Sequence, residues 1–113
     1  MANNVHLTAF FMRKAKRLLK KYHSLHISLQ KLENDLIGNP KLGDSYGSNI
    51  YKVRLADESK GKGKSGGFRV ITYLIEETSK TTEIYLVTIF DKSEESSIDK
   101  DDIKEILRIE QLL

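Results

Sequence analysis

The apolar residues change their period once, after Gly43, and that change restricts the chain to helices first and sheet afterwards. Before it, Phe11, Ala15, Leu18, Leu19 and Tyr22 recur at helical spacing, and Leu25, Leu29, Leu32 and Leu36 do so again after Ser24. Thr8 is placed to cap the first run; Gly38, with Pro40 just beyond, is placed to end the second. These runs predict a helical hairpin, preceded by a short extended segment around residues 5–7. After the change, Tyr51, Val53 and Leu55 alternate with Lys52 and Arg54, the period of a strand. Residues 68–75 and 84–90 are β-branched and aromatic runs separated by a polar turn around residues 78–82. Three successive strands most economically form an antiparallel meander. A closing helix is predicted from Asp99 as N-cap, Asp102 at the capping-box position, an Ile98–Ile103 staple and the stripe Ile103, Ile106, Leu107. The order strand, helix, helix, three strands, helix is that of an α+β fold.

A chain of 113 residues is expected to make one domain, spanning residues 1–113, with enough length for a core that needs no staples. It has no cysteine, which excludes disulfides and thiolate metal sites and suits a reducing cytoplasm. No apolar run approaches the roughly 18 residues of a membrane span, so a cytoplasmic protein without a membrane partner is expected. The net charge of +3 is small but unevenly distributed. Arg13, Lys14, Lys16, Arg17, Lys20 and Lys21 form one acid-free block, and Lys52, Arg54, Lys60, Lys62, Lys64 and Arg69 a second. The acids gather towards the C-terminus, at Asp91, Glu94, Glu95, Asp99, Asp101, Asp102, Glu105 and Glu110. This polarity suits an anionic partner, nucleic acid foremost, against the plainer alternative of two solvated faces.

Several motifs lead nowhere. Gly63-Lys64-Ser65 resembles the end of a phosphate-binding loop, but Glu58 stands where the first glycine belongs and a strand follows in place of a helix. His23 and His26 have ligand-like spacing without a third ligand nearby. No Ser-His-Asp or Cys-His set can be assembled. Neither a metal nor a small-molecule cofactor is expected.

The constellation with chemical content is Tyr51-Lys52-Val53-Arg54-Leu55, followed by the Gly/Lys-rich residues 60–67 and then Phe68-Arg69-Val70. Lys52 and Arg54 lie two residues apart in a strand and so project from one face. Arg69 begins the next strand, and pairing of the two would put all three cations on a common face. Glycines between them let backbone N–H groups approach a phosphate closely. Such a face holds a phosphodiester backbone in a salt-sensitive way, with the arginine fork adding bidentate grip. The alternative is a hairpin loop made soluble by its lysines.

Four stretches together are similar to the RelE/ParE superfamily of toxins from type II toxin–antitoxin systems. They are Asn39-Pro40-Lys41-Leu42-Gly43-Asp44, Ile50-Tyr51-Lys52-Val53-Arg54-Leu55, residues 59–71 with Gly66-Gly67-Phe68-Arg69-Val70-Ile71, and Ile89-Phe90-Asp91-Lys92-Ser93-Glu94. The resemblance runs from about residue 5 onward and is greatest to the HigB-like branch. It implies a RelE-like fold, with the N-terminal strand and helical hairpin packed on the sheet. It also implies a ribosome-dependent messenger-RNA endonuclease (an mRNA interferase), restrained by a cognate antitoxin. In that family the 2′-hydroxyl attacks the neighbouring phosphate without a metal. Cations around a phosphorane gaining negative charge serve that chemistry, each preorganised donor contributing roughly 3–4 kcal/mol.

By the resemblance, Arg69 stabilises the transition-state phosphate, and Lys52 and Arg54 are the basic pair of the preceding strand. Lys52 is the better base of the two, because an arginine does not give up its proton, although a lysine must have its pKa depressed to act so. Lys60, Lys62 and Lys64 grip RNA phosphates, as do Arg13, Lys16 and Arg17 on the first helix. Lys92 matches the lysine that follows the last strand; apart from the resemblance, Asp91 could serve as a proton acceptor, although an Asp at the end of a strand is as often a turn residue. The sequence departs from the pattern at Ser93, where an arginine is usual, and in residues 96–100, which lack a base-stacking tyrosine. Two rival functions are open: a ParE-like inhibitor of DNA gyrase acting by protein contact, and an RNA-binding module without catalysis.

Overall fold

Thr8 is the hinge between the first strand and the first helix. In the computed structural model, which describes residues 2–56, 67–94 and 97–113, strand β1 (Ala2–Leu7) ends one residue before it and helix α1 (Ala9–Lys21) starts one residue after it. The Thr8 hydroxyl accepts from the Phe11 N–H at 3.0 Å, the expected cap. The same hydroxyl lies within reach of the Leu86 and Val87 carbonyls, at 3.0 and 3.1 Å, which ties the cap to the sheet.

Helix α2 (Leu25–Gly38) completes the predicted hairpin. Gly38 is its last helical residue and not a left-handed cap: Asn39 takes the cap position, its N–H donating to the Asp35 carbonyl at 2.9 Å. A strand that the sequence did not announce, β2 (Asp44–Gly47), then pairs antiparallel with β3 (Ile50–Leu55). Two residues join them, Ser48 and Asn49, with φ of 54° and 64°. Positive φ at both positions is the twist-compatible geometry of a tight hairpin, though the chain uses Ser-Asn where Asn-Gly is usual.

Strands β4 (Phe68–Thr78) and β5 (Thr81–Asp91) form the long hairpin at the centre, each extending a few residues past the apolar run that predicted it. The expected meander β3–β4–β5 is present and antiparallel throughout. Strand β1 adds parallel to β5, so the sheet is mixed and five-stranded, in the order β1-β5-β4-β3-β2. Helix α3 (Lys100–Ile109) closes the chain with Asp99 at its N-cap position and Asp101 and Asp102 in its first turn, where carboxylates favour the helix dipole.

The sheet buries both faces. On one, Phe11, Ala15 and Leu18 of α1 and Leu25, Leu32 and Leu36 of α2 pack over Val53, Leu55, Phe68, Val70, Leu74, Ile84, Leu86 and Ile89. On the other, Ile103, Ile106 and Leu107 of α3 pack over Ile50, Ile71 and Val87, joined by Ile98 as the staple predicts. Val87 is an extra residue in β5, where Ile71 pairs with Thr88 and Thr72 with Leu86. This bulge turns Val87 to the α3 side while Leu86 stays on the helical-hairpin side.

Polar contacts fasten β1 at the sheet edge. The Asn3 amide donates to the Ile37 carbonyl at 2.9 Å, His6 Nε2 lies 2.6 Å from Glu83 Oε1, and the Asn4 amide donates to Glu83 Oε2 at 3.0 Å. The His6 ring also stacks on Tyr85 at 4.8 Å. Hydrogen bonding from His6, then from Asn4, holds the Glu83 carboxyl below the usual carboxylate range. A lowered carboxyl contributes stability above its unfolded-state pKa and loses that contribution as pH falls through the folded one. Glu83→Gln should therefore lower the thermal midpoint at pH 7, and by less at about pH 3, below the ordinary glutamate range. Melting curves at the two pH values check this; a gap of equal size at both contradicts it.

Candidate active site on the cationic face of the sheet

The register of β3 with β4 decides where the second basic block points. Ile50 to Leu55 pair with Tyr73 to Phe68 without interruption, so that Lys52 stands opposite Ile71, Val53 opposite Val70, and Arg54 opposite Arg69. Val53 and Val70 lie in the core beneath the helical hairpin, whereas Ile71 lies beneath α3. Residues directly opposite share a face, and alternate residues of one strand do likewise. Lys52, Arg54 and Arg69 therefore all stand on the α3 side.

Arg69 is the anchored member of the group. It is 3% exposed, and its Nη1 donates to the Phe68 carbonyl at 3.1 Å. Burial, and secondarily the like charge of Arg54, pulls its pKa below the ordinary arginine value. An arginine so perturbed still keeps its proton at neutral pH. The result is a guanidinium fixed by burial beside a second, exposed one. Phe90, the β5 partner of Arg69, is buried on the same rung.

Lys52 is half-buried, and its Nζ lies 5.3 Å from the centre of the Tyr46 ring. Tyr46, from β2, packs into the apolar cluster beneath α3 and so presents a ring on the cationic side. A Cβ on neighbouring Gly47 would come within 3.3 Å of Lys100 Nζ, which brings the start of α3 to the same margin. Asp44 is the register partner of Lys52 and supplies an acid there.

The other expected site residues fall elsewhere. Asp91 is wholly buried on the helical-hairpin side: Oδ2 accepts from the Tyr22 hydroxyl at 2.9 Å, and Oδ1 accepts from the Ser93 N–H and hydroxyl at 2.9 and 2.8 Å. The structure does not bring it to the cations, and it works there as the organiser of a turn. Lys92 is exposed on that turn, its N–H donating to the Gly67 carbonyl at 3.1 Å, which places it next to the start of β4. Arg13, Lys16 and Arg17 lie exposed on α1, in the opposite layer. Arg13 lies over the Phe10 ring at 5.5 Å, and Arg17 pairs with Glu94 at 3.1 Å. That pairing, chiefly its hydrogen bond, holds the Glu94 carboxyl below the usual range. Lys60, Lys62 and Lys64 lie outside the described residues. His23 and His26 belong to the α1–α2 junction, where His26 Nδ1 lies 2.9 Å from the His23 carbonyl.

Two residues near the site escaped sequence reading, Tyr46 and Tyr22. Tyr46 sits in a short stretch of Asp, Ser and Gly that carries no strand signal; its one clue is period-two alignment with Asp44 across the turn from Lys52. Tyr22 reads as the last apolar member of the first helical run, and nothing local distinguishes its hydroxyl.

The comparisons give the family: a model described as "RelE toxin of RelE / RelB toxin-antitoxin system" matches residues 3–113, and the chain belongs to the RelE toxin family. In fold it is similar to the E. coli toxin RelE, solved in the free state as an arginine-to-alanine double mutant. The TM-score is 0.60, the identity 16%, and 100% of each chain is covered.

Gly43 controls the placing of Lys52. Its φ is +99°, and a Cβ there would collide with the Lys52 carbonyl and crowd the Val53 side chain. Gly43→Ala should destabilise the fold by about 1–3 kcal/mol, the usual cost of a strained left-handed residue, with any shift felt first at Lys52. Urea unfolding measures it; a variant as stable as wild type would contradict this account.

Proposed function

We propose that this toxin is a ribosome-dependent messenger-RNA endonuclease, a single domain over residues 1–113 whose cationic sheet face holds the scissile phosphate. The observation that carries the reading is the Arg54–Arg69 rung, with Arg69 immobilised by burial and Lys52 two residues along on the same side. Family membership supports it, and the basic residues 59–71 incline us to the HigB-like branch.

In this reading the 2′-hydroxyl oxygen forms a bond to the adjacent phosphorus as the bond to the 5′-oxygen breaks. The products are a 2′,3′-cyclic phosphate and a 5′-hydroxyl. Lys52, acting as the neutral amine, is the group to take the 2′-hydroxyl proton, and the departing 5′-oxygen takes a proton from water. Arg54 and Arg69 face the charge that builds on the non-bridging oxygens, where donors already in place cost no reorganisation. Lys92 stands by the start of β4 as a further cation. Lys60, Lys62 and Lys64, with Arg13, Lys16 and Arg17 on α1, serve as contacts to RNA backbone. No step calls for a metal or cofactor. The cognate antitoxin, the partner that the family implies, restrains the activity by covering this face or by displacing the last helix, and the action takes place in the cytoplasm where ribosomes are.

Arg69→Ala tests the reading. Loss of one preorganised donor should slow cleavage of ribosome-bound message by about 10²–10³-fold, release cells from growth arrest, and leave antitoxin binding intact. Mapping message 5′ ends and measuring complex formation give both results. Intact messages with trapped gyrase–DNA breaks on wild-type expression would replace the reading with the gyrase rival. Binding of RNA without any cleavage would replace it with a non-catalytic module.

A further inference from the structure

The turn that carries Lys92 is held from the far side of the sheet. Strand β5 ends at Asp91, whose carboxylate is fully buried and accepts hydrogen bonds from the N–H and hydroxyl of Ser93 and from Tyr22 at the C-terminal end of α1. Glu94 closes the same turn, its N–H donating to the Asp91 carbonyl at 3.0 Å while its side chain pairs with Arg17. Between these points the Lys92 N–H reaches the Gly67 carbonyl, two residues before Arg69.

Tyr22 grips both strands at this end. Its ring meets Phe68 edge-on, with centroids 5.2 Å apart and planes at 76°, and its hydroxyl holds Asp91. Phe68 and Asp91 are themselves opposite each other across β4 and β5, and the next rung along is Arg69 with Phe90. The rung held by Tyr22 on the helical side is thus adjacent to the rung that presents Arg69 on the cationic side. Loss of one donor to a buried carboxylate weakens its hold and shifts the groups that share it, because each hydrogen bond to a buried charge offsets part of its desolvation. The turn would move with them.

We propose that Tyr22 is a positioning residue for RNA cleavage: by fixing the buried Asp91 carboxylate it sets the Lys92 turn against the strand start that carries Arg69. This rests on the reading of Lys92 and Arg69 as site residues. Helix α1 thereby does more than cover the core. Its C-terminal end, through Tyr22 and Arg17, registers one wall of the site from behind.

The test is single-turnover cleavage of message on purified ribosomes by Tyr22→Phe, Lys92→Ala, the double variant and Arg69→Ala. Tyr22→Phe keeps the ring against Phe68 and removes the hydroxyl alone. Its cleavage rate at saturation should fall about tenfold with half-saturation changed less than about twofold, the signature of an interaction spent on the transition state. The double variant should be no slower than Lys92→Ala, since residues acting through one another are non-additive. A wild-type rate for Tyr22→Phe, whatever its melting temperature, overturns the proposal, and so does a double variant slowed by the product of the single effects. A wild-type rate for Lys92→Ala with Arg69→Ala inactive likewise overturns it, leaving the proposed function standing. Wild-type rates for both Lys92→Ala and Arg69→Ala remove instead the site reading on which it rests. Should Tyr22→Phe not fold, Ser93→Ala, at the exposed surface, takes its place with the same expectations and the same overturning results.

Discussion

Two guanidinium groups of like charge face each other across β3 and β4, and the parity of that pairing underlies all that the sheet can present. Side chains alternate between faces, so a slip of one residue would send Lys52 and Arg54 into the apolar layer beneath the helical hairpin. Burial of Val53 and Val70 on that side, and of Ile50 and Ile71 on the other, makes the slip prohibitive. The tight turn at Ser48 and Asn49 and the close approach of Gly43 to the Lys52 carbonyl hold the same register from the β2 side. Apolar packing thus imposes on the cations a proximity that their charges oppose.

The two layers divide the labour. The helical hairpin buries one whole face and reaches through to fasten the end of β5. Among the described residues, helix α3 packs over Ile50, Ile71 and Val87 on the other face, and the Arg54 rung lies two residues along from Ile71. Arg69 is buried there yet lies beside an exposed partner, a combination of rigidity and access that suits an anion-binding group.

Most of the architecture was legible because it rests on periodicity. The helical runs through Leu18 and Leu32, the alternation from Tyr51 to Leu55 and the cap at Thr8 each follow from local rules, and the structure follows them. Strand β2 was not legible: Asp44, Ser45 and Gly47 have low strand propensity, and only the partnership with β3 makes them extended. The parallel docking of β1 was equally hidden, since its partner lies some eighty positions away. At the site, same-face placement of Lys52 and Arg54 is a property of any strand, and that of Arg69 needed only the pairing. Asp91 was the misleading residue. A carboxylate at the end of a strand reads as a proton acceptor or as a turn residue, and its burial beside Tyr22 and Ser93 makes it the second.

The position of β5 has a consequence for how this molecule comes into being. Of the five strands it is the last to be made, yet it lies between β1, the first, and β4. The opening strand therefore has no strand to pair with until residues 81–86 are available, and it must wait through the synthesis of two helices and three strands. Contacts of such long sequence separation form late and slowly. The sheet is complete only once β5 has slotted between the first strand and β4.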